Sequence, residues 1–153
     1  VWGGLLVLFV DAGKGALAVL IPSWLGAPDW VLFLTTPLVV VGHNWTVFLR
    51  FQGGKGAATI FGISLALVLV PTVITIAPVA LVIFLTRNVV TGAAVGFVFL
   101  NVMLAVTGQG AAQIALCASL TLMVVVTYTV SIREQINSSV KTRQWRGLFN
   151  RPP

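Results

Sequence analysis

Apolar residues run through the chain in long blocks, and the polar positions gather between them. The blocks cover residues 4–21, 30–49, 57–70, 72–85, 89–107 and 111–130. The breaks fall at 22–29, where Pro22, Gly26, Pro28 and Asp29 cluster, at the polar stretch 42–59, at Pro71, at Arg87-Asn88 and at Gly108-Gln109-Gly110. Within the blocks polar and apolar residues do not alternate, as they would along a membrane barrel strand, so helices are predicted. A run of 18 to 20 residues rising 1.5 Å each reaches about 30 Å, the thickness of a bilayer's hydrocarbon core. Thr35, Thr36 and Pro37 are expected to kink the second run. Residues 57–85 admit two readings: one long helix kinked at Pro71, or two short spans that turn there. Residues 131–153 form a basic tail carrying Arg133, Lys141, Arg143, Arg146 and Arg151. The chain therefore divides into a membrane helical domain, 1–130, and a tail, 131–153. The tail is either a segment lying on anionic lipid or a disordered end.

Composition agrees with lipid as the solvent. Hydrophobic residues make up 58% of the chain and charged residues 8%, and the mean hydropathy is +1.05. A soluble domain carries about 25% charged residues. The fold class expected is all-α, a polytopic membrane helix bundle of about six spans. The net charge of +6 is read as lysines and arginines at membrane helix ends rather than as a nucleic-acid surface. Their placement decides between the readings of 57–85. With two spans there, Arg50, Lys55, Arg87 and the tail share one side, and the opposite loops hold no Lys or Arg. That pattern places stretch 42–59 and the tail in the cytoplasm. The single cysteine, Cys117, sits in an apolar run and is read as packing. The chain starts at Val1 without a Met and is expected to be a piece whose true N-terminus lies upstream.

The chemistry concentrates in 42–59. Gln52-Gly53-Gly54-Lys55-Gly56 precedes a predicted helix from Ala57. Gly53, Gly54 and Gly56 leave backbone amides free to approach an oxyanion, and the next helix presents its own N-terminus. Lys55 adds a full charge, Arg50 can add another, and Thr59 supplies a hydroxyl in the first turn. Phosphate fits such a cradle. It is not a Walker A loop, since Lys55 precedes Gly and no strand leads in. The alternative is a tight turn with Lys55 at the membrane edge. His43 and Asn44 stand where a helix ends. A lone histidine lacks the partners of a metal site, so no metal and no cofactor is expected. His43 is a candidate acid, base or phosphate donor, or a histidine satisfied by backbone.

Asp11 and Lys14, three apart, share one helix face. Ionisable groups inside a span are either functional or a self-neutralised pair. Arg87 reads as a boundary residue that snorkels. Arg133 follows the last run and can help hold an anion. No Ser-His-Asp set exists, so any group transfer must work by positioning and charge stabilisation.

The sequence Gly42-His43-Asn44-Trp45-Thr46-Val47-Phe48 through Gly53-Gly54-Lys55-Gly56 to Ala58-Thr59 resembles the second signature of the bacterial acyl-phosphate:glycerol-3-phosphate acyltransferases. Asp11, Lys14 and Gly15 are similar to that family's preceding helix, and Arg133-Glu134, Ile136 and Asn137 resemble its C-terminal signature. The resemblance implies a seven-span enzyme of the bacterial plasma membrane that moves an acyl group from acyl phosphate to glycerol 3-phosphate. Lysophosphatidic acid and phosphate would be the products, in phospholipid synthesis. It implies His43 and Lys55 as catalytic residues. Gly53, Gly54, Gly56, Thr59, Asn44, Lys14, Arg133 and Asn137 would bind substrate. The partners implied are acyl phosphate, glycerol 3-phosphate and membrane lipid.

The family's first span and its Gly-Ser-Gly-Asn loop are absent here, and Ile132 and Gln135 stand where the family has His and Asn. Two other readings remain open at this point: a small transporter subunit with an anion-binding re-entrant loop, and a catalytically inactive lipid-binding relative.

Overall fold

The computed structural model describes residues 2–45 and 54–149, and beyond Val130 the side chain of Arg133 alone. Every regular element among these residues is a helix. They are α1 (Trp2–Trp24), α2 (Leu32–Asn44, entered through a 3-10 turn at Asp29–Val31), α3 (Ala57–Leu67), α4 (Leu69–Thr86), α5 (Val89–Val106) and α6 (Ala111–Phe149). In hydrocarbon every backbone N–H and C=O must find a partner within the protein, and a helix satisfies them all inside one segment. α1, α4, α5 and residues Ala111–Val130 of α6 are long and apolar enough to cross a membrane. Apolar side chains stand on the outside, with Phe84 79% and Phe9 73% exposed, so lipid is the solvent they fit. Trp24 and Trp30 are exposed at the turn between α1 and α2, a position where indole rings sit at headgroup level.

Threonines inside these helices are neutralised locally. Thr36, Thr75, Thr121 and Thr127 each donate to the carbonyl four residues back, at 2.6–2.9 Å. Thr35 instead donates to Ala18 O at 2.9 Å and ties α2 to α1. α2 remains helical through Pro37.

The break in 57–85 lies at Val68, not at Pro71. Val68 has φ −140° and ψ 66° and caps both α3 and α4. Pro71 occupies the first turn of α4, where its missing N–H costs nothing because that amide has no intrahelical acceptor anyway. Thr72 Oγ1 lies 3.0 Å from Ser64 O and 2.8 Å from Val68 O, tying the two helices at the bend. α4 and α5 form a hairpin. Arg87 closes α4 in the left-handed conformation at φ 51°, and the Asn88 side chain accepts from the amides of Val90 and Thr91 to cap α5. Gly92 and Gly96 let α5 lie against Ile83 and Val79.

α1 and α3 cross with backbone against backbone. A Cβ on Gly15 would stand 2.0 Å from Thr59 O, and one on Gly62 would stand 1.9 Å from Ala12 O. Close approach through glycine is how membrane helices gain packing where no hydrophobic force drives them together. The buried core gathers Val19, Val40, Ile60, Ile63, Phe97, Leu116, Leu120 and Val124 from α1, α2, α3, α5 and α6. α6 continues without interruption across residue 130 to Phe149, so the basic segment is a helical extension of the last span through that point.

Candidate functional site

α1 contributes a charge pair. Lys14 Nζ lies 2.7 Å from Asp11 Oδ1, on one face of the helix as the three-residue spacing requires. α2 brings its last turn onto the same point. Lys14 Nζ is 2.6 Å from His43 Nδ1, and His43 Nδ1 is 3.5 Å from Asp11 Oδ1. The three atoms make a triangle, and three ionisable groups from two helices form one cluster.

The glycine turn closes over the other side of the ring. Gly54 N donates to His43 O at 3.3 Å. A Cβ on Gly54 would lie 2.0 Å from His43 Nε2, so a residue without a side chain is required against the imidazole. Gly56 caps α3 in the left-handed conformation, at φ 76°. A Cβ there would also meet Asn44 Oδ1 at 2.8 Å. No side chain caps the first turn of α3, so its amides point out without intrahelical acceptors.

Asn44 and Thr59 are buried beside this turn. Asn44 Nδ2 donates to Thr127 Oγ1 of α6 at 3.1 Å. Among the described residues, Asn44 Oδ1 and Thr59 Oγ1 have no hydrogen-bond partner, although both are buried. Buried polar atoms are almost always paired, and these two flank the glycine turn. Lys55 Nζ sits 4.9 Å from the centre of the Tyr128 ring on α6, within cation–π range.

An apolar cavity of about 450 Å³ adjoins the turn. Ala57 and Phe61 of α3 line one side, and Val79, Ile83, Ala93 and Phe97 of the α4–α5 hairpin line the other. Its size is that of a small-molecule site. The cationic turn and the apolar cavity share the N-terminal end of α3, where Ala57 follows Gly56.

His43, Asn44, Gly54, Lys55, Gly56, Thr59 and Lys14 thus come together. Arg133 is exposed on α6, five residues or about 7.5 Å along the axis beyond Tyr128. Asn137 lies on the same helix, with its side chain outside the described residues. Gly53 and Arg50 also lie outside them. Thr127 and Tyr128 were not foreseen from sequence. The available signal is that Tyr128 is the single tyrosine of the chain, placed just before the basic segment. Among the described residues no group of three or more His, Cys, Asp or Glu side chains could hold a metal.

A family model described as glycerol-3-phosphate acyltransferase matches residues 1–138. Glycerol-3-phosphate acyltransferase 4 of Dehalococcoides mccartyi is 43% identical over 74 residues, which are 48% of this chain and 32% of the relative. The glycerol-3-phosphate acyltransferase of Thermus thermophilus is 51% identical over 67 residues, 43% of this chain and 34% of the relative. The matched stretch thus spans about a third of the length of these curated relatives. The crystal structure of PlsY (YgiH), an integral membrane glycerol 3-phosphate acyltransferase, in its glycerol 3-phosphate form has a TM-score of 0.75 and 26% identity. It covers 92% of this chain and 68% of that one. A lysophosphatidic acid form of PlsY has the same TM-score, with 70% of that chain covered.

Proposed function

The chain belongs to the glycerol-3-phosphate acyltransferase family, and from that premise we propose that its protein moves an acyl group from acyl phosphate to glycerol 3-phosphate. The primary hydroxyl of glycerol 3-phosphate attacks the acyl carbonyl, and the bond from the carbonyl carbon to the phosphate oxygen breaks. The leaving phosphate accepts the hydroxyl proton, so lysophosphatidic acid and phosphate result. An acyl phosphate is already activated, and this mechanism asks the protein for positioning and charge rather than for a strong nucleophile.

One observation carries the reading: a cationic glycine turn at a helix N-terminus directly precedes Ala57, which lines an apolar cavity. The amides of Gly54, Gly56 and the first turn of α3, with Lys55, are suited to a phosphate. The adjoining cavity is suited to a hydrocarbon chain. Gly53, Arg133 and Asn137 complete the set that the family resemblance assigns to substrate, with Arg133 and Asn137 on the acceptor side. The membrane is the bacterial plasma membrane in this reading, and the placement of Lys and Arg supports a cytoplasmic glycine turn. A transporter subunit would instead line several spans with polar groups. Here the polar cluster gathers at one place.

The test is phosphate release. The protein, purified in detergent, is given acyl phosphate and glycerol 3-phosphate. Release above background that needs both substrates supports the reading, and no release refutes it. Lys55→Ala should abolish turnover while lowering the melting temperature by only a few degrees, the share of its lost contact with Tyr128. An unaffected rate would remove Lys55 from the phosphate site.

A further inference from the structure

We infer that His43 serves as a hydrogen-bond donor through Nε2 and not as a general base, and that Lys14 and Asp11 are the positioning residues that impose this.

The inference starts from what each group can offer. A lysine ammonium has three N–H donors and no acceptor. Lys14 donates to the carboxylate oxygen of Asp11 at 2.7 Å. The atom it meets at 2.6 Å, His43 Nδ1, must then offer a lone pair. A proton on Nδ1 would set two donors against each other at that distance. A proton on Nδ1 directed to Asp11 would have a longer contact, 3.5 Å, and would still face the ammonium. A doubly protonated ring would press two cations together. The ring is therefore neutral, with its proton on Nε2, since the bond made at one imidazole nitrogen fixes the state of the other.

Nε2 is also the atom that faces the glycine turn, since the Cβ site of Gly54 lies 2.0 Å from it. An Nε2 that already carries its proton cannot take one from a substrate hydroxyl. It can donate to an oxyanion at the turn. The substrate role rests on the acyl-transfer reading, and the ring assignment does not.

Two measurements separate these. His43 is the single histidine of the chain, so [15N]histidine labelling with a histidine-free tag gives one pair of ring signals. At about pH 8, above the ordinary imidazole value of about 6.5, the expected pattern is the Nε2–H tautomer, with the pyridine-type resonance on Nδ1. Asp11→Ala combined with Lys14→Met removes both charges together and leaves no unpaired carboxylate. In that protein the Nδ1 resonance should move downfield as it loses its donor, and Lys14→Arg should preserve the parent position. An Nδ1–H tautomer in the parent, or an unmoved resonance in the double variant, overturns the assignment.

The role at substrate is read from turnover. His43→Gln keeps an amide N–H near the Nε2 position and should retain kcat within about tenfold. His43→Ala should lose about a hundredfold or more, the scale on which a lost positioned group is felt. Equal losses in both overturn the donor role. No turnover in the parent protein refutes the acyl-transfer reading and leaves the ring assignment to the spectra.

Discussion

Lys55 and Tyr128, 73 positions apart in sequence, meet with the ammonium 4.9 Å from the ring centre. The contact ties the glycine turn to the last span. It also holds the lysine's long side chain in one place before any anion arrives. Such a contact is worth about 0.5–2 kcal/mol, depending on how dry the site is. Tyr128→Phe keeps the ring and should leave phosphate release within about twofold of the parent. Tyr128→Leu should lower apparent substrate affinity by about three- to tenfold, checked by comparing KM and kcat for the two variants.

The crossing of α1 and α3 leaves no room for a methyl group. Gly62→Ala and Gly15→Ala each place a carbon about 2 Å from a backbone carbonyl that cannot rotate away. Each should cost about 3 kcal/mol or more as the helices are forced apart. Gly13→Ala is the control, since nothing lies within 4 Å of its added carbon. It should be neutral or stabilise by up to about 1 kcal/mol, the helix-propensity gain of Ala over Gly. Thermal unfolding in one detergent, followed by fluorescence, compares all three.

Gly56 is constrained twice, by a φ of 76° and by Asn44 Oδ1. Gly56→Ala should cost about 1–3 kcal/mol from the left-handed backbone alone, and more from the contact. Turnover should fall further than stability does, because the same distortion moves the first-turn amides of α3. Melting temperature and phosphate release measured on one preparation distinguish the two effects.

Asn44 and Thr127 link α2 to α6 at 3.1 Å. Hydrogen bonds between membrane helices average about 0.6 kcal/mol in double-mutant cycles and reach about 1.7 kcal/mol. Asn44→Ala, Thr127→Val and the double variant should give a coupling energy in that range by equilibrium unfolding. A coupling of zero would mean that the pair is incidental to the packing.

Much of this fold is legible in the sequence because lipid leaves so few choices. Long unbroken apolar blocks can satisfy their backbones as helices, and the helices begin and end near the breaks that glycine, proline and charge mark. The glycine turn and its lysine were legible for the same reason: in so apolar a chain, few other residues carry chemistry. Val68 was not legible. Pro71 draws the eye as a breaker, yet a proline in a first turn costs little, and Pro22, Pro37 and Pro78 all lie inside helices. Tyr128 and Thr127 were missed because their role depends on which face of α6 turns toward α2, and apolar runs with no clear polar face do not reveal that. The i, i+3 pairing of Asp11 with Lys14 could be read from spacing. Their meeting with His43, 29 positions beyond Lys14, depends on how α2 folds back along α1.

The bend at Val68 has a mechanical consequence. α3 is locked to α1 by carbonyls seated on glycines, so that wall of the cavity cannot give. Leu69 and Val70 begin α4 with amides that have no acceptor in the preceding helix, and Pro71 has no amide to offer. The facing wall, the α4–α5 hairpin, is thus hung from α3 by a joint with few backbone bonds across it. That hairpin is steadied instead by the last span, through Asn101 Nδ2 donating to Thr121 Oγ1 at 2.9 Å and through Leu100 and Leu104 packed with Cys117, so the shape of the cavity depends on α6 as well as on α3.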